Sequence, residues 1–441
     1  MKVDQTREAV TMKVAEKRRW KILVVAGATM ALVAGMVSTL PSAYAGGTIK
    51  ANDDQWISIG MGIRTKLSSV QDAQANGSGY GTNFGVENAR VYINGKIHKY
   101  VGFTFNTECF NCATGGNGVF LTPGGGSGSQ FAGNSNIGLI DAIGKFEFND
   151  LVNVWVGRTL VPGERGELNG PFYHAVYEGF KTPFNSADFS GNFGTGGAGV
   201  YGRDNGAVLW GSILGKHLSY SAGVFTGLRS STGVGPNQSG SMLYAGRVTY
   251  NVFNIEDNPG YYTSGTYYGT AGHILAIAGG INYQANGAGS ALASSDMTVF
   301  VADVLWELPL GDQGKGGVIT VNGEFKHYAA GYDTTVAFAS PDCFCMFRGQ
   351  SYTAYALYLF PGEIGIGKMQ PYARYTTIQP DQSTVREETE FGTNYIISGH
   401  NARISAFYQY GDLASKGLFN WSPTAAGADV SAFKLALQLQ Y

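Results

Sequence analysis

Between residues 433 and 441 large apolar side chains occupy every second position. Phe433, Leu435, Leu437, Leu439 and Tyr441 fall on one side, and Lys434, Ala436, Gln438 and Gln440 on the other. A period of two marks a β-strand with one apolar face. The same pattern runs near the start, where Ile57, Ile59, Met61 and Ile63 alternate with Ser58, Gly60, Gly62, Arg64 and Lys66. Segments of this kind begin near Trp56, Phe84, Val101, Gly138, Val152, Gly206, Leu218 and Met242. They continue near Ile274, Met297, Val318, Tyr352, Gly367, Glu388, Ala402 and Val430. The expectation is an all-β transmembrane antiparallel barrel of about sixteen strands, a size that leaves an aqueous lumen.

The connections alternate in length. Tight ones fall near His98-Lys99, Asn149-Asp150, Lys216-His217, Pro361 to Lys368 and Gly399 to Asn401; two longer members, Phe253 to Gly272 and Pro309 to Gly317, share that side. On the other side stand Ser69 to Asn83, Cys109 to Asn136, Leu160 to Asp204 and Leu228 to Gly240. Ala285 to Ser295, Ala330 to Gly349, Gln379 to Glu387 and Leu413 to Asp429 complete that set. Short turns at one end and long loops at the other are the asymmetry of an outer-membrane barrel. No strand edge can stay open in hydrocarbon, so the last strand is expected to close on the first, against Ile57 to Ile63.

Composition narrows the class. Charged residues make up 14% of the chain and Gly 65 of 441 residues, against about 25% charged and about 7% Gly in ordinary soluble domains. No stretch after residue 45 reaches the length of about eighteen apolar residues that a helical span needs. Lys13, Lys17, Arg18, Arg19 and Lys21 form a basic region, Ile22 to Leu40 an apolar one, and Ala43-Tyr44-Ala45 a small-x-small site. Residues 1–45 are therefore expected to be a signal peptide cleaved after Ala45, with Met12 as an alternative start and 46–441 as the pore domain. That segment carries seven of the 30 basic and three of the 32 acidic residues, leaving 23 against 29. An acidic balance with no recognition motif argues against nucleic acid as a partner.

In a water-filled lumen the chemistry is electrostatic filtering. Alternation turns Arg64, Lys66, Arg90, Lys96, Arg247, Lys326, Arg374, Arg403 and Lys434 inward. Most lie on the first two and the last strands, neighbours once the ring closes, and form a basic arc. Inward acids are Glu108, Asp141, Glu147, Asp303, Glu307 and Glu324, mostly elsewhere. The third long loop carries Phe172, Tyr173, Tyr177, Phe180 and Phe184, anchors expected of an ordered loop that folds into the barrel. If its Glu164, Glu167, Glu178 or Asp188 faces the arc, a transverse field crosses a constriction. In the other reading the arginines pair with inward carboxylates and leave no field.

Cys109 and Cys112 sit in the second long loop and Cys343 and Cys345 in the sixth, on opposite sides of the ring. Disulfides need Cα atoms within about 7 Å, so local pairs that stiffen each loop are expected. A shared zinc site would need the same convergence, and neither metal nor cofactor is expected. Among six histidines only His174 lies where a rim active site could form. No Gly-x-Ser-x-Gly sets a nucleophile beside it, so an enzyme is not expected.

Several short runs resemble general and phosphate-selective outer-membrane porins of the O/P type. They are Trp56-Ile-Ser-Ile-Gly60, Glu87-Asn-Ala-Arg-Val-Tyr-Ile-Asn-Gly95, Val156-Gly-Arg158 and Gly202-Arg-Asp-Asn-Gly206. Asn258-Pro-Gly-Tyr-Tyr262 ahead of Tyr267-Tyr-Gly269 is similar too. The resemblance implies a homotrimeric barrel whose inward third loop forms an anion-favouring constriction, with Arg64, Arg90, Arg158 and Arg165 as its candidates. The acidic mature chain departs from the Arg- and Lys-rich lumen of phosphate-selective members. Tyr441 looks like the terminal aromatic signal read by barrel-assembly machinery. The implied setting is a Gram-negative-type outer membrane, with its lipid and lipopolysaccharide as surroundings. The alternative is a structural or adhesive barrel with disulfide-stiffened loops and a plugged lumen.

Overall fold

A computed structural model describes residues 47–74, 76–110, 137–179, 202–345, 347–412 and 429–441. The expected signal peptide, Cys112, Phe180, Phe184 and Asp188, and the side chain of Cys109, lie outside the described residues.

The first strands are β1 (Gly47–Asn52), β2 (Gln55–Val70), β3 (Gly81–His98), β4 (Val101–Phe110), β5 (Ile137–Glu147) and β6 (Asn153–Leu160). The middle set is β7 (Arg203–Ile213), β8 (Leu218–Phe225), β9 (Leu243–Asn251), β10 (Ile274–Gly289), β11 (Ser294–Pro309) and β12 (Val318–Ala330). The last are β13 (Gly349–Leu359), β14 (Glu363–Ile364), β15 (Gly367–Pro380), β16 (Arg386–Ser398), β17 (Ala402–Asp412) and β18 (Asp429–Gln440). Short helices α1 (Arg165–Asn169) and α2 (Thr334–Ala339) interrupt two loops. The Asp333 side chain caps α2 by accepting from the Thr335 and Val336 amides.

Sixteen strands close a ring. β2 to β10 pair in succession. β10 to β13 follow, β13 pairs with β15, and β15 to β18 lead back to β2, every pairing antiparallel. Each of the sixteen begins within three residues of the position read from the alternation.

Three expectations need correction. The stretch Ala285 to Ser295 is mostly strand and Gln379 to Glu387 is strand at both its ends, because the ladder continues to Gly289↔Ser294 on one pair and Ile378↔Arg386 on the other. Polar residues sustain it there because backbone pairing does not require apolar side chains. The closing strand pairs with Gly62 to Val70 rather than Ile57 to Ile63, and Tyr441 exchanges two backbone hydrogen bonds with Met61, of 2.7 and 2.8 Å. The remaining edge of β2 is covered by β1, in register Gly47↔Ile59 and Ile49↔Ile57. Strand β2 is longer than its closing partner, so the hairpin supplies the backbone partners that the edge otherwise lacks.

The faces are inverted relative to a soluble sheet. On β12 the buried row is Val318, Thr320, Asn322, Glu324, Lys326 and Tyr328, mostly polar. Outside, Ile277, Ile281 and Phe300 are about half exposed on β10 and β11. An apolar exterior around a polar interior fits hydrocarbon, where the ladder satisfies every backbone group.

Candidate constriction site

The described part of the third long loop (L3), residues 161–179, runs between two arcs of inward side chains. On one side are β2 and β15 to β18. Gln438 donates to the Phe172 carbonyl at 2.8 Å, and Arg403 to the carbonyls of His174 and Ala175 at 2.7 and 3.1 Å. Asn394 adds a bond of 2.9 Å to Ala175 O; Arg64 donates to Tyr177 O and Arg374 to Glu178 O. Loop carbonyls enclosed in a barrel have no ladder partner, and guanidinium and amide groups supply the donors they need. Much of the basic arc thus serves as the donor set for the L3 backbone.

The remaining arc charges are compensated locally. The Glu178 carboxylate accepts from Lys66 at 2.5 Å, from Lys434 at 2.7 and 2.8 Å and from Gln409 at 2.9 Å. Lys66 also pairs with Glu87 at 2.8 Å. The register of β2 against β3 shifts across Glu87, a bulge of the kind that re-aims a side chain. Arg374 pairs with Glu388 at 3.2 Å and with Glu390. Arg90 donates to Glu108 at 2.7 Å while its guanidinium lies 5.1 Å from the Phe172 ring centre. Gly62 leaves room for that ring, since a Cβ there would stand 2.8 Å from it.

The opposite arc holds α1. Arg165 is fully buried and forks onto Glu256 at 2.6 and 2.9 Å, with its amide on Asp303 at 3.1 Å. Arg247 grips the same Asp303 at 2.5 and 2.9 Å and donates to Gly163 O at 2.8 Å. Lys326 pairs with Glu164 and lies 3.5 Å from Glu167. Glu164 and Glu167 therefore face Lys326 on β12, across from the basic arc; among the described L3 carboxylates only Glu178 meets the arc. Arg158 stands in register with Ala142 and Asn205, in the row of the exposed Val156, and Lys96 pairs in register with Trp56 and Gly102. Neither has an ion pair with L3 among the described residues.

Sequence reasoning did not single out Glu388, Glu390, Arg203 or Glu256. The first two are two residues apart, so period-two alternation alone would have put them on one face beside Arg374, their cross-strand neighbour. Arg203 holds Asp141 at 3.0 Å from the far end of L3. Glu256 belongs to the long turn between β9 and β10, residues 252–273, which also supplies Thr263 and Ser264 to L3.

His174 is buried, and burial together with Arg64, Arg403 and Arg374 holds its imidazole well below the usual range. A neutral histidine enclosed by three arginines is a poor general base, and it lies inside the barrel instead of on a rim. His400, in the turn after β16, is likewise held neutral, down to about 3, by burial and Arg403. Its Nε2 sits 3.0 Å from Ser264 Oγ and from Thr266 O. In the loops, Cys343 and Cys345 form a disulfide with Cα atoms 5.1 Å apart. Phe344 between them exchanges backbone hydrogen bonds of 2.7 and 2.9 Å with Gly289.

No family model and no curated protein matches the chain. Solved structures do. OprB of Pseudomonas putida, determined at high pH, aligns with a TM-score of 0.54 at 10% identity, over 87% of this chain and 94% of that one. The anion-selective porin of Comamonas acidovorans aligns with a TM-score of 0.52 at 12% identity, over 87% and 99%. Salmonella typhi OmpF, in complex with daunomycin, aligns with a TM-score of 0.50 at 11% identity, over 90% and 100%. At these identities the fold is what is shared: the chain has the closed sixteen-stranded barrel of outer-membrane porins.

Proposed function

We propose that the protein is a porin of a Gram-negative-type outer membrane, passing small hydrophilic solutes and ions by passive diffusion through a constriction built on L3. The observation that carries this reading is the row of L3 carbonyls bound by Arg64, Arg374, Arg403, Asn394 and Gln438. A loop held by its backbone across a barrel narrows the lumen at a fixed height, as solute filtering requires. The anion preference is modest, since Arg64 and Arg403 donate to neutral acceptors while Lys66, Lys434 and Arg90 face carboxylates and Arg374 meets both a carbonyl and carboxylates; phosphate-like anions fall within this range without a dedicated site. In the same reading residues 1–45 are removed as a signal peptide, the C-terminal strand with Tyr441 is read by assembly machinery, and the barrel is a homotrimer among lipid and lipopolysaccharide. It is no enzyme.

Purified protein in planar bilayers should give discrete single-channel steps. The near-complete burial of inward residues such as Asn88, Glu307, Gln370 and Gln409 favours a second reading, a structural or adhesive barrel with a plugged lumen. Protein that inserts yet never conducts would select that reading.

A further inference from the structure

We propose that the segment between β9 and β10, residues 252–273, is a second constriction element. It meets L3 inside the lumen from the end that carries the short turns and holds α1 in its narrowing position. This rests on the porin reading for the meaning of the bore.

Most connections at that end of the ring are short, such as 99–100, 148–152 and 399–401. The β9–β10 connection is far longer, and its middle is buried: Tyr261, Thr263, Ser264 and Thr266 are each under a tenth exposed. Its contacts fall into two sets. One pins it to the wall, where Glu307 accepts from Thr266 Oγ1, the Tyr267 amide and the Gly269 amide at 2.7, 2.9 and 2.8 Å. Trp155 packs over Gly260, where a Cβ would stand 2.4 Å from the indole.

The second set goes to L3. Arg165 spans Glu256 and Ser264 O, the latter at 3.0 Å. Thr263 Oγ1 lies 3.1 Å from Arg165 O and 2.7 Å from Asn169 Oδ1, so both ends of α1 are tied. The Gly265 amide donates to Tyr173 O at 2.9 Å, and a Cβ at Gly265 would stand 2.5 Å from the Ala175 amide nitrogen. Two backbones that close can approach only through glycine. A turn that merely reversed the chain would need none of this. A five-residue helix bound by a bidentate Arg–carboxylate pair to a separate insert is fixed in position by that insert.

The test uses the full-length protein with three variants. Glu256→Gln removes the charge of the latch with little change in shape, Gly265→Val wedges the two backbones apart, and Asp257→Asn alters an exposed neighbour as a control. Folding is verified first by heat-modifiable gel migration. Glu256→Gln and Gly265→Val should each raise single-channel conductance at least twofold over wild type, with Asp257→Asn unchanged. If wild type conducts and both folded variants conduct identically to it, the inference is overturned and the porin reading stands. If wild type is closed and the variants conduct, the insert is the plug and the inference holds. If none conducts, the porin reading fails and this inference fails with it.

Discussion

An arginine that alternation turns into a lumen can face water, a carboxylate or a backbone carbonyl, and each choice has a different consequence. Arg374 takes the last two together: Glu388 and Glu390 on the neighbouring strand and the Glu178 carbonyl of L3. Removing it takes the guanidinium from the buried Glu390 carboxylate, and breaking a buried ion pair in this way typically costs about 3–5 kcal/mol. Arg374→Ala should therefore lower the urea-unfolding free energy in lipid vesicles by an amount of that order, followed by tryptophan fluorescence. An unchanged midpoint would mean that water reaches Glu390 and compensates it. Arg374→Lys should recover only part of the loss, since a point charge cannot reach three acceptors as a guanidinium fork does.

At the scale of the strand, each residue belongs to one of two solvents. Ile281 lies in the middle of β10, opposite Phe300 and Gly246, and points outward. Ile281→Arg should destabilise the barrel by about 2–4 kcal/mol if that position lies near the membrane midplane, read by the same unfolding assay. A loss of a few tenths would place Ile281 at an interface or against another subunit. Strand β16 shows the limit of the alternation rule: Glu388 and Glu390 flank a threonine in an otherwise weak apolar pattern, yet both pair with Arg374 of the arc. Bulges limit it too. Glu87 would face away from Arg90 and Asn88 under strict alternation, but the register shift beside it lets it reach Lys66.

For the whole molecule the question is what net field the constriction presents. Glu178 is the one L3 carboxylate among the described residues that meets the basic arc, and it covers both Lys66 and Lys434. Glu178→Gln should leave L3 anchored through its carbonyls while removing the negative charge that Lys66 and Lys434 share. The reversal potential in a salt gradient should then shift towards anions relative to wild type. No shift, or a shift towards cations, would mean that permeant ions do not pass that side of L3. Ring closure belongs to this scale as well. The first and last strands share β2, with β1 and β18 end to end along one edge, so both ends of the described chain meet at one seam.

The sequence alone determined that about sixteen strands form, their starts to within three residues and their two faces. It could do so because the choice between lipid and lumen is made residue by residue, with a period of two, and needs no knowledge of neighbours. It also determined that a basic arc must form, because closure makes the first and last strands adjacent. What the arc does was settled only in three dimensions. Whether Arg403 meets a solute or the His174 carbonyl depends on the path of L3 across the barrel. Whether Arg165 faces the arc or Glu256 depends on a turn that rises from the other end. The covering of β2 by β1 depends on the stagger with which the ring closes. The two side-chain contacts join residues 229 and 91 positions apart, and no local pattern records them.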